Sequence, residues 1–408
     1  MDAARAAATG FKAATLALAT LPLLGMRPSV LVVGLWVLSA VAYRLIAGAR
    51  NASPDMRTFL LLSLPFLAML LDLLRAPDPV QGWHIVERSG MLALAPLVVF
   101  VLRPPIDEGL RVRAIDVFTL AAIGLALYAN LSIVASGLPG EGPFQHRYRA
   151  AFSAATGIHP PYAAYFTLSA ALFQLERAVR SAEGRAWRLG AVAVLVLAAM
   201  AIASRTPLLA FVAAALGIFA LRMPGRTALR AGIGLLLLLA GLVLVVPSAR
   251  QRMKEVFTTP AGIPDAQAVN SVSERFAIAH CSTELLRRHW VVGMGQASVQ
   301  PALDACYSGL ADPRYADGSH DTHCQPLHWW LSFGLPGLLL FLLLFGAPLA
   351  AAWHQRDVRL GLFLVFFGLC CLTENVLARQ WGVVPFAFFL SLLSPPLGAG
   401  SARDRNHR

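Results

Sequence analysis

The sequence predicts an all-α polytopic membrane protein of about twelve transmembrane helices, and two observations predict it. The first is composition: 57% of the residues are hydrophobic and 14% are charged. A soluble domain carries about 25% charge, so this chain has too little polar surface to sit in water. The second is the recurrence of apolar runs near ~20 residues, enough to cross ~30 Å of hydrocarbon as helix. They fall at 10–26, 30–46, 59–74, 90–102, 114–135 and 161–175. They continue at 189–203, 207–221, 228–246, 327–353, 360–371 and 383–393. The fourth and the last two are short or interrupted. The first lacks a small-residue cleavage site and reads as a retained span. The whole chain, 1–408, is thus expected to form one membrane domain, with residues 247–325 inserted as a long polar loop between the ninth and tenth spans.

Arginine placement orients this bundle. With the N-terminus cytoplasmic, the inner loops hold Arg50 and Arg57, then Arg103, Arg111 and Arg113, then Arg177, Arg180, Arg185 and Arg188. Arg222, Arg226, Arg230, Arg356, Arg359 and the tail residues Arg403, Arg405 and Arg408 continue the series. Outer loops are poorer, holding Arg27, Arg75 and Arg88 among others. That is the positive-inside pattern, so the net charge of +12 is mainly a topology signal. A nucleic-acid partner is not expected, because no basic groove interleaved with aromatics supports one.

The exceptions carry the chemistry. Arg147, Arg149, Arg205, Arg275 and His323 all fall on the outer side, where cations are normally sparse. A charge held against the topology rule near membrane depth marks a functional site. His323 closes the polar loop just before a run of Trp, Leu and Phe, which puts an imidazole where water meets lipid. Within the loop, residues 270–290 read as an amphipathic helix. Ser271 and Glu274 form its capping box, and Phe276, Ala279, Leu285 and Leu286 form its apolar face. Five cysteines are too few for a disulfide scaffold. Cys281, Cys306 and Cys324 face the outer compartment with their pairing open, while Cys370 and Cys371 read as inert core. No metal site is expected: the outer acids are scattered, and the His320–His323 pair with Asp321 lacks the rest of a zinc signature.

Four segments together resemble the O-antigen ligase and polymerase superfamily of bacterial inner-membrane glycan transferases. They are Gly157-Ile-His-Pro-Pro-Tyr-Ala-Ala164, Ser204-Arg205, Ser273-Glu-Arg275 closed by Gly293-Met-Gly295, and His323-Cys324 followed by Gly334-Leu-Pro-Gly337. Cys324 departs from the family pattern, which has an amide or hydroxyl residue there; a thiol is a weak partner for orienting His323. The resemblance implies a fold like the type C glycosyltransferases, a site on the periplasmic face of the inner membrane and no cofactor. It implies a lipid-pyrophosphate-linked glycan, carried on undecaprenyl pyrophosphate, as donor; Arg275 and His323 in one outer loop favour the ligase branch, whose acceptor is lipid A–core oligosaccharide.

The residues agree with that chemistry. Arginine stays charged and forks onto phosphate oxygens, which suits Arg205 and Arg275 to a departing pyrophosphate. His323 suits the base for the incoming hydroxyl, and direct attack inverts the anomeric carbon. Arg147, Arg149, His159 and Tyr162 are candidate substrate contacts.

Each has a plainer reading. Arg205 can snorkel to headgroups, Arg275 can be a solvated helix residue, and Arg147 and Arg149 can hold anionic lipid. His159 can be a capping residue, and Glu374 can pair with Arg379. A polymerase and a protein O-oligosaccharyltransferase are the alternatives within the enzyme reading. The second is disfavoured by a chain that stops soon after its last span. A transporter or flippase is the non-enzyme alternative, but paired broken helices around a charged midplane are not evident.

Overall fold

The computed structural model describes residues 2–48, 53–142, 144–245, 272–310, 314–317 and 320–396, with a few single positions between 250 and 312. Arg50, Ser271 and the tail arginines lie outside the described residues, and with them the expected capping box.

Aspartates and prolines decide where several apolar runs become helix. After α1 (Asp2–Ala19) and α2 (Met26–Ala47), Asp55 accepts the Thr58 N–H at 3.1 Å and starts α3 (Met56–Asp72). Asp78 caps α4 (Pro79–Ser89), whose Pro79 has no N–H to leave unpaired. Then α5 (Met91–Pro96) loosens into a π turn at Leu97–Leu102. Asp107 caps α6 (Glu108–Ser136), and Gly137 at φ 74° stops it. The chain continues through α7 (Phe144–Thr156), α8 (Pro160–Arg180), α9 (Arg185–Ile202), α10 (Arg205–Arg222) and α11 (Gly225–Val245). The loop contributes α12 (Ser273–His289), α13 (Gln296–Ser308) and a single turn at Arg314–Asp317. Last come α14 (Gln325–Phe333), α15 (Leu335–Gln355), α16 (Val358–Cys371) and α17 (Gln380–Leu393).

Each predicted apolar run falls on a helix, and among the described residues there is no strand. Eight helical stretches among the described residues are long and apolar enough to cross a membrane, so this is an all-α, multi-pass membrane protein. One expected span is broken: 327–353 is two helices, α14 and α15, split at Gly334 with φ 68°. The first run also ends early, at Ala19, ahead of Pro22.

Two helices are surrounded by protein. In α8 every residue from Pro160 to Ala178 is buried, and α17 is buried from Trp381 to Leu393. Phe173 of α8 stacks on Phe363 of α16 at 5.7 Å and meets Phe389 of α17 at 5.2 Å. Such aromatic pairs add about 0.5–1.5 kcal/mol each to area burial. At the rim α11 buries only Gly232, so its apolar surface is left for lipid.

The loop carries its own small core. Ala277, Ile278 and Cys281 of α12 pack with Val299, Leu303 and Tyr307 of α13, Tyr315 and Leu331. Cys281 and Cys306 are joined as a disulfide between the two helices, which resolves the open pairing. Because 277, 278 and 281 turn inward, Phe276 and Ala279 are exposed, contrary to the expected apolar face.

Glycines fasten this core to the bundle. Leu335 N–H bonds Val291 O at 3.1 Å and Gly295 N–H bonds Ser332 O at 2.9 Å, so two backbones run side by side. A Cβ on Gly334 would lie 2.0 Å from Val291 O, and one on Gly293 would lie 2.4 Å from Ser332 O. Only glycine fits either place. Asp72 completes the joint: its carboxylate accepts Gln296 N–H at 2.6 Å and the Arg75 guanidinium at 2.6 Å. Arg75 in turn donates to Ser332 O and Val292 O.

Candidate active site

Six segments meet at the loop end of the bundle around a cavity of about 410 Å³. Arg205 enters from the first turn of α10, where Ala203 at φ 55° reverses the chain after α9. Arg275 enters from the first turn of α12, Arg149 from α7, and His159 from the N-cap position of α8. His323 and Glu374 close the cavity from the 320–324 and 372–379 segments.

His323 is the most constrained of these. Its backbone is left-handed at φ 44°, held by a 2.9 Å bond from its own N–H to Asp321 Oδ1. The ring Nδ1 lies 2.7 Å from Glu374 Oε2 and 3.0 Å from Oε1. Nδ1–H therefore donates to the carboxylate and the lone pair sits on Nε2. Burial pushes the imidazole pKa down, but the Glu374 bond and charge, helped by Asp321, outweigh it and leave it raised. His159 goes the other way, lowered by burial and by nearby Arg149.

The segment after α16 frames the site residue by residue. Thr373 O accepts Arg275 Nη1 at 2.9 Å, while the Thr373 hydroxyl bonds the hydroxyl of Thr206, next to Arg205, at 2.7 Å. Glu374 holds His323. Asn375 then donates to the Thr322 hydroxyl at 2.9 Å and accepts Cys324 N–H at 3.1 Å. Three consecutive residues thereby fix both arginine turns and both flanks of the histidine.

The sequence offers Arg379 or a catalytic arginine as the partner of Glu374. The fold turns it to His323, and Arg379 lies 3.9 Å from Asp321 instead. The missed signal was a Glu-Asn pair between two apolar helices, where an unneeded carboxylate is costly.

The other expected residues divide. Arg149 and His159 line the cavity. Arg147 turns away, bonding Leu138 O at 2.9 Å and Pro139 O at 3.2 Å, and so braces the chain between α6 and α7. Tyr162 is buried with its ring 6.2 Å from His159, and Tyr165, one turn on, lines the cavity. His320 packs its ring on Tyr307. Cys324 is a free cysteine whose N–H is held by Asn375, so the orienting partner of His323 is a carboxylate.

Three guanidiniums facing two carboxylates, Glu274 and Glu374, leave a net positive concavity beside a histidine with a free ring nitrogen. Such an arrangement can hold a polyanion and take a proton. Among the described residues no group of three His, Cys, Asp or Glu side chains could hold a metal ion.

A family model described as O-Antigen ligase matches residues 190–342, the stretch that runs from α9 into α15 and includes Arg205, Arg275 and His323. The match supports the O-antigen ligase superfamily and, broadly, a ligase or polymerase type of function. No curated protein matches the chain.

Proposed function

Taking the O-antigen ligase match as premise, we propose that the protein transfers a glycan from undecaprenyl pyrophosphate to a hydroxyl of lipid A–core oligosaccharide. The observation that carries this reading is the single cavity where Arg205, Arg275 and the His323–Glu374 pair converge from separate segments. The acceptor oxygen attacks the anomeric carbon, the bond from that carbon to phosphate breaks, and the configuration inverts. Undecaprenyl pyrophosphate leaves with the bonding electrons, and its growing charge is met by the two guanidiniums. The hydroxyl proton passes to His323 Nε2, while Glu374 stabilises the imidazolium that forms.

Arg149 and His159, which also line the cavity, are the substrate contacts in this reading. Arginines supply the charge that a divalent ion supplies elsewhere, so the reaction is metal-independent. The site faces the periplasm across the inner membrane; the positive-inside pattern and the disulfide of the loop support that side.

The test is a purified assay with lipid-linked glycan and a lipid A–core acceptor. Glycosylated lipid A–core with released undecaprenyl pyrophosphate is expected. Longer lipid-linked glycan with the acceptor untouched would make it a polymerase, and lipid-linked glycan moved across a bilayer with no bond changed would make it a transporter.

A further inference from the structure

A second concavity, of about 760 Å³, lies at the opposite end of the bundle. The end of α10 contributes Leu221 and Arg222, the end of α15 and the residue after it contribute Leu349, Ala352, Trp353 and Arg356, and α16 contributes Gly361, Leu362 and Val365. Its shape follows from those positions. From Arg356 back to Leu349 is about 10 Å along a helix, and the same rise separates Val358 from Val365. The crevice thus runs from headgroup level into the hydrocarbon, with apolar walls of Leu349, Ala352, Leu362 and Val365.

Its polar groups sit at the mouth. Arg222 is matched to buried Glu176 at 2.8 Å, and Asp357 is engaged in capping α16 through Leu360 N–H. Arg356 is exposed and pairs with no acid among the described residues. It occupies the left-handed position after α15, φ 55°, where glycine would be unstrained. Beside it Trp353 is 74% exposed, the placing of an aromatic at a membrane surface. Arg226 and Arg230, exposed on the first turns of α11, add positive charge at this end of α10.

We propose that this crevice binds one anionic phospholipid, its phosphate on Arg356 and an acyl chain along Leu349 and Val365. An unmatched cation at the mouth and apolar walls below fit that shape and charge. A zwitterionic lipid gains less from the cation, because its own ammonium competes for the phosphate, and a free phosphate leaves the walls bare.

The experiment uses the full chain in vesicles of phosphatidylcholine containing brominated phosphatidylglycerol or brominated phosphatidylcholine. The fluorescence lost in Trp353→Phe isolates the signal of Trp353. Half-maximal quenching of that signal is expected at about fivefold lower mole fraction of phosphatidylglycerol, the effect of one arginine near a surface. The preference should vanish in Arg356→Gln and persist in Arg113→Gln, a cation at the same end on α6. Gly361→Leu, whose new side chain starts 3.9 Å from Ala352 and Leu349, should fill the crevice and remove the preference with Arg356 intact. Equal quenching by both lipids in the wild type overturns the proposal. So does a preference that survives Arg356→Gln or Gly361→Leu, or one erased by millimolar inorganic phosphate.

Discussion

The two ends of the bundle handle arginine differently. At the end opposite the loop, Arg177 meets Asp116, Arg222 meets Glu176 at 2.8 Å, and Arg359 meets Glu108 at 2.8 Å. Each ties one helix to another. At the loop end Arg149, Arg205 and Arg275 line one cavity, and its nearest late carboxylate, Glu374, is turned to a histidine. Arginines paired one to one with acids hold helices together. Arginines gathered from three helices around one cavity concentrate positive charge there.

His323→Ala separates the two ends most sharply. Transfer in the purified assay should fall by ~10²–10⁴, the usual contribution of a positioned base, with insertion and donor binding retained. His320→Ala, whose ring packs on Tyr307, should keep most activity. Wild-type turnover in His323→Ala would remove the base from the mechanism.

Lysine substitution compares the ends directly. Arg205→Lys keeps the charge but loses the planar two-point grip, so it should be nearly as damaging as Arg205→Ala, about 10²–10³ in rate. Arg222→Lys keeps one bond to Glu176 and should leave turnover within about threefold, since a single partly exposed ion pair contributes little. Full activity in Arg205→Lys would demote that residue to a headgroup anchor.

The pH profile probes the dyad. His323 accepts a proton only when neutral, and its raised pKa keeps it protonated further up the scale. Rate should therefore climb with pH through a midpoint above that of an ordinary histidine. Glu374→Gln removes the raising charge and leaves burial, which lowers; the midpoint should move to lower pH. An unmoved midpoint would mean the titrating group lies elsewhere.

The smallest effect expected is that of chelation. EDTA should leave the purified rate nearly intact. Loss of activity restored by magnesium or manganese would show that guanidiniums alone do not carry the leaving-group charge.

The sequence by itself determined the class of fold, because lipid permits few ways to satisfy a backbone and apolar length counts them. It also singled out Arg205, Arg275 and His323, which the fold brings to one cavity, since cations held against the topology rule stand out one at a time. Glu374 did not stand out. Its meaning lies in a partner 51 residues away, and only the fold brings the two to 2.7 Å. Arg147 and Arg149 look alike on the page, yet one braces a turn and the other lines the cavity, because residues two apart on a helix face nearly opposite ways. Gly293 was visible as a turn residue, while Gly334 fell inside an expected span. That each leaves room for the other segment's backbone, which an added Cβ would approach to under 3 Å, is something spacing along a chain cannot express.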